Sequence, residues 1–132
     1  MKILIIDDSK TEAQALSSVL EARDHQVLVA TSGEQGVVLA ANEQPDVVLM
    51  DVVMPGLNGF QATRQIKRSP DTRHIPVIII SSKGQDIDII WGERQGAATY
   101  LVKPVNQQQL LAAIAAATAA AATDNHVIPP TQ

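Results

Sequence analysis

Three aspartates, a pair of serines and a lysine in this chain occupy the same kind of place, directly after a short apolar run. Ile3–Ile6 leads into Asp7 and Asp8, Val47–Met50 into Asp51, Val77–Ile80 into Ser81 and Ser82, and Tyr100–Val102 into Lys103 and Pro104. Carboxylates gathered at one place repel one another unless a cation sits among them. Oxygen-only ligands, with no His or Cys in the set, favour a hard ion, and Mg²⁺ is the common cytoplasmic choice. Lys103 adds a fixed positive charge opposite. Carboxylates, Mg²⁺, an ammonium and a hydroxyl together make a receptacle for a phosphoryl group, and one carboxylate can act as nucleophile to give an aspartyl phosphate. Taken singly, each residue has a plainer reading. An Asp after a strand is usually a turn or cap residue, and Asp8 sits where it could favour a helix N-terminus. A lone serine is a loop hydroxyl and a lone lysine a solvated charge. The functional reading rests on four strand ends agreeing.

For those residues to meet, the chain must bring the carboxyl ends of several strands together. The four runs above and Val27–Ala30 have strand length, and most are rich in β-branched residues. Segments with helical spacing lie between them, as in Ala13, Leu16 and Leu20. Ser9-Lys10-Thr11-Glu12 and Ser32-Gly33-Glu34-Gln35 read as capping boxes, and Asn58 and Asn106 as N-caps with a Gln three residues on. Strand alternating with helix five times, through short loops, predicts an α/β fold: a doubly wound, five-stranded parallel sheet with helices on both faces. In such sheets ligands bind beyond the carboxyl ends of strands, where the strand order reverses. Val27–Ala30 ends blandly in Thr31, as an edge strand would, and the order 2-1-3-4-5 would put it there. That order would also set the first and third strands side by side.

Composition excludes several classes of function. The 132 residues allow one domain, with 45% hydrophobic and 18% charged residues and only 2% aromatic. A net charge of −4 argues against nucleic-acid binding, and the absence of cysteine excludes disulfides, thiolate catalysis and Cys-based zinc sites. The basic group Arg64, Lys67, Arg68, Arg73 and His74 reads as a solvated surface. Leu110 to Ala122 is too short and too Ala-rich to span a bilayer, and the N-terminus has no signal-peptide layout. A cytoplasmic protein without direct membrane binding is expected. The Ala run continues the last helix, giving a domain over residues 1–122. Residues 123–132, with Pro129-Pro130, are expected to be a disordered C-terminal tail or linker stub.

The motif set resembles the bacterial two-component response-regulator receiver family, with its CheY-like, flavodoxin-like topology. The likeness is carried by Ile5-Ile6-Asp7-Asp8-Ser9, by Asp46 through Gly59 around Asp51-Val52-Val53-Met54-Pro55-Gly56, by Ile75 through Ser82, and by Gly96 through Pro104. It covers residues 2 to about 117 and implies a role for each position. Asp51 corresponds to the phosphoacceptor. Asp8, Asp51 and the carbonyl of Val53 correspond to direct Mg²⁺ ligands, and Asp7 to a ligand acting through water. Lys103 corresponds to the lysine that pairs first with the acceptor and then with the phosphoryl group, and its bond to Pro104 should be cis. Ser81, where Thr is commoner, matches the switch hydroxyl, and Tyr100 the aromatic switch. Val53 and Lys83 are implied to set the lifetime of the acyl phosphate. The phosphodonor would be a histidine kinase. An output protein would bind the face made by the fourth helix, fifth strand and fifth helix, including Ile87, Ile90, Trp91 and Tyr100; for Trp91, core packing is an equal alternative.

Val48 through Gln65, and Trp91 through Ala97, further resemble single-domain regulators of type IV pilus twitching motility, which work with chemotaxis-like kinases. The resemblance implies a signalling protein rather than an enzyme, beyond catalysing its own phosphoryl transfer and autodephosphorylation. Two alternatives stay open: a phosphate sink for a shared kinase, and a receiver fragment of a longer regulator. Two other classes fail on the residues. A flavodoxin-type FMN site would need a hydroxyl-rich loop where Asp7-Asp8 stands. A haloacid-dehalogenase-type phosphatase would need an Asp at Val53.

Overall fold

A computed structural model describes residues 1–126. Five strands and five helices alternate: β1 (Lys2–Ile6), α1 (Lys10–Glu21), β2 (Gln26–Ala30), α2 (Gly33–Glu43), β3 (Val47–Met50), α3 (Gly59–Arg68), β4 (Val77–Ser81), α4 (Asp86–Arg94), β5 (Thr99–Val102) and α5 (Gln107–His126). The strands form one parallel sheet, as the alternation of elements predicts, in the order β2-β1-β3-β4-β5 that the CheY-like resemblance implies. Each strand begins or ends within one residue of its apolar run.

The continuous Val/Ile/Leu character of the central strands β1, β3 and β4 follows from burial on both faces. Leu4 and Ile6 of β1, Val48 and Met50 of β3, and Val77 and Ile79 of β4 pack with Ala40 of α2 and Ala62 and Ile66 of α3. The alternate residues Ile3, Ile5, Val47, Leu49, Ile78 and Ile80 pack with Leu20 of α1 and Leu110 and Ile114 of α5. Two cores sandwich the sheet, so a slip of one residue in any central strand would exchange them.

The caps follow the sequence in part. Asn58 and Gln61 form the full reciprocal box at the start of α3, with bonds of 2.9 Å in both directions. Asn106 accepts from the Gln109 N–H at 2.6 Å at the start of α5. The two Ser-led boxes are only half formed. Ser32 accepts from the Gln35 N–H at 3.1 Å, but the Gln35 carboxamide accepts from the Thr31 N–H at 2.8 Å rather than from Ser32. Ser9 accepts from the Glu12 N–H at 3.3 Å, while the Glu12 carboxylate reaches a different partner, Lys103. Helix α5 continues through Thr123, whose hydroxyl donates to the Ala119 carbonyl at 3.0 Å, and on to His126. It therefore extends past the boundary at residue 122; the remainder of the expected tail, 127–132, lies outside the described residues.

Candidate functional site

Parallel register carries the functional residues to one edge of the sheet. The ladder continues one step beyond the strands: the Asp7 N–H donates to the Ala30 carbonyl at 3.0 Å, Asp51 N–H to Ile6 at 2.9 Å and Lys103 N–H to Ser81 at 2.9 Å. These bonds fix the backbones of Asp7, Asp51 and Lys103 before any side chain is considered. Asp7, Asp8 and Asp51 then each present a carboxylate oxygen within 4.8 Å of the others. Asp7 and Asp51 are buried and Asp8 is exposed, so the cluster opens to solvent on one side.

Lys103 Nζ stands 3.3 Å from Asp51 Oδ1 and 3.8 Å from Asp7 Oδ2, and donates to Glu12 Oε1. The Lys103–Pro104 bond is cis, as the resemblance implies. Burial raises the carboxyl pKa of both aspartates above the ordinary value of 3.8. For Asp51 the charge of Asp7 adds to that rise and Lys103 opposes it; for Asp7 the Ser9 N–H and Lys103 oppose it. Burial works against the Lys103 charge, but the bond to Glu12 and the charges of Asp51 and Asp7 outweigh it and raise its pKa.

One ammonium among this many carboxylates leaves the site short of positive charge. The donors are all hard oxygens, close enough to share one ion and partly open to water, so the residues fit a Mg²⁺ ion. A pH dependence follows. In the metal-free protein, the raised pKa values mean that the folded chain binds protons more tightly than the unfolded chain. Stability from these groups is present below the ordinary value of 3.8 and is lost as pH rises through the raised folded values. Asp51→Asn removes one ionising group. Calorimetry in chelator should therefore show the variant gaining on the wild type as pH rises. Added Mg²⁺ should narrow that gap by binding the wild type.

The other sequence-predicted residues take separate positions. Ser81 is fully buried at the end of β4, and its Oγ accepts from the Lys83 N–H at 3.1 Å, whereas Ser82 is exposed. Tyr100, in β5, donates from its hydroxyl to the Lys83 carbonyl at 2.6 Å, so the loop after β4 is tied to both residues. Val53 lies in the loop after β3 and is 54% exposed. Trp91 on α4 is 49% exposed and belongs to neither core; it borders a groove with Phe60, Arg64 and Gln95, away from the carboxylates. Glu12 is the participant that sequence reading missed. It was legible only as half of a capping box, because its contact with Lys103 spans 91 positions of chain.

The response regulator receiver domain model matches residues 3–115. The chain belongs to that family. Protein PilH of Pseudomonas aeruginosa is 58% identical over 107 residues, covering 81% of this chain and 88% of that protein. Response regulator PleD of Caulobacter vibrioides is 38% identical over 80% of this chain, but this chain spans only 23% of PleD. The receiver fold is equally plain in three dimensions. A CheY of Borrelia burgdorferi, solved in a CheX-CheY-BeF3-Mg complex, matches at a TM-score of 0.82 and 25% identity, covering 88% of this chain and 87% of that one. As a receiver, the chain carries the family's acidic cluster in Asp7, Asp8 and Asp51, set at the carboxyl ends of β1 and β3.

Proposed function

We propose that this receiver accepts a phosphoryl group on Asp51 from a histidine kinase and signals in the cytoplasm by protein–protein interaction, in a pathway of the type IV pilus and chemotaxis-like motility class. The observation that carries the reading is the grouping of Asp7, Asp8 and Asp51 within 4.8 Å, with Lys103 beside Asp51. The likeness to PilH supports the pathway.

Asp8, Asp51 and the Val53 carbonyl would hold Mg²⁺ directly and Asp7 through water. The ion supplies charge neutralisation that lets an anionic donor approach an anionic acceptor. An Asp51 carboxylate oxygen forms a bond to phosphorus as the bond from phosphorus to the donor nitrogen, or to the acetate oxygen of acetyl phosphate, breaks. The electron pair of that bond leaves with the donor. Lys103 moves its hydrogen bonds to the phosphoryl oxygens, and Ser81 gives up the Lys83 N–H to donate from its hydroxyl to one of them. Tyr100 then loses its anchor on the Lys83 carbonyl and turns inward. Hydrolysis of the acyl phosphate resets the site, with Val53 and Lys83 at its margin setting the lifetime. No other reaction is assigned to the domain.

The output face in this reading is α4–β5–α5, where Ile87, Ile90, Trp91 and Val102 leave apolar surface exposed on α4 and β5. Intact mass after incubation with acetyl phosphate tests the acceptor chemistry. One added phosphoryl group is expected with Mg²⁺ and none in chelator; a gain that ignores Mg²⁺ refutes the metal site. Capture of a partner only in the presence of beryllofluoride supports an active switch. A kinase-competent domain that captures nothing supports the phosphate sink.

A further inference from the structure

We propose that Glu12 is a positioning residue of this site: it shares the Lys103 ammonium with Asp51 in the resting domain, keeping the Asp51 contact long, and yields it to the incoming phosphoryl group. The proposal rests on reading Asp51 as the acceptor.

Its origin is local. In a reciprocal capping box the Glu12 carboxylate would turn back to the Ser9 N–H. Here that N–H already donates to Asp7 Oδ1 at 2.9 Å, so the cluster itself displaces Glu12 from its helix-capping role. With its backbone N–H still held by the Ser9 hydroxyl, the Glu12 side chain extends over the crevice and bonds Lys103 Nζ. Lys103 lies 3.3 Å from Asp51, longer than the 2.7–2.9 Å usual for a charge-assisted bond. Asp7, at 3.8 Å, interacts with it through space only.

Exposure sets the direction of exchange. The Asp51 side chain is 10% exposed and its backbone is pinned into the sheet, whereas the Glu12 side chain is 50% exposed. A half-exposed carboxylate can return to water at small cost. When phosphoryl oxygens appear on Asp51, Glu12 is therefore the partner that gives way. Until then it draws on an ammonium that the donor's oxygens need, and adds a fourth carboxylate to the approach path of an anion.

Two substitutions separate those effects. Glu12→Gln removes the charge; Glu12→Asp keeps it but shortens the side chain by a methylene, so that it no longer reaches Lys103. Both variants are expected to take up phosphoryl from acetyl phosphate, with Mg²⁺, about two- to fivefold faster than wild type, the range a half-exposed ion pair supports. In the metal-free protein the Lys103 Nζ resonance should move in both, which loss of helix capping alone would not cause.

Rates equal to wild type in both variants overturn the proposal, as do slower rates, which would make Glu12 an aid to catalysis. A faster Gln variant beside an unchanged Asp variant also overturns it, leaving only long-range charge. The wild-type control keeps the two readings apart. If it takes up no phosphoryl group, the acceptor reading fails first.

Discussion

Replacing Asp51 with Asn is expected to abolish phosphoryl uptake while leaving the fold intact. Asn has the same shape and keeps the hydrogen-bonding oxygen, so the N–H to Ile6 bond and the packing after β3 survive. What it loses is the anionic oxygen that must bond to phosphorus as acetate or histidine departs. It also takes a full negative charge out of the three-carboxylate cluster, weakening Mg²⁺ affinity. The measurement is intact mass after acetyl phosphate and Mg²⁺, with circular dichroism as the folding control. Wild type should gain one phosphoryl group and the variant none. A variant that still gained one would move the acceptor to another residue, Asp8 being the exposed candidate.

The second large effect is on folding. Gly59→Ala is expected to destabilise the domain by about 3 kcal/mol or more, or to prevent folding. Helix propensity alone predicts the opposite, since Ala is favoured over Gly by roughly 1 kcal/mol within a helix. The site decides otherwise. A Cβ on Gly59 would lie 2.0 Å from the Asp51 carbonyl oxygen and 2.7 Å from Val52 Cα. Both obstacles are backbone, and that backbone is held by the Asp51 N–H bond to Ile6 and the Gly59 N–H bond to the Val52 carbonyl at 3.0 Å. Relief would require moving α3 or the acceptor itself. Urea denaturation would show the loss in midpoint; a variant as stable as wild type would mean that the loop after β3 yields more readily than these bonds imply.

Gly59 also illustrates the limit of local reading. From the sequence it stands one residue after an N-cap, and its need for a bare Cα arises only when α3 folds back over the acceptor strand. Trp91 is similar. Helical spacing left core packing and partner contact equally open. The exposure of one side of α4, beside Ile87 and Ile90, removes the core reading without naming the partner.

The sequence by itself determined the alternation of elements, the parallel sheet and the identity of the acidic residues. Burial of both sheet faces forces unbroken apolar runs, and those runs show where each strand stops and its polar residue begins. The tertiary structure decided which polar groups touch. That Asp7 takes the Ser9 N–H, freeing Glu12 for a lysine 91 positions away, depends on β1, β3 and β5 ending together at one edge of the sheet. Local patterns carry no record of such contacts. Side chains choose among competing partners only after the backbone has brought the partners within reach.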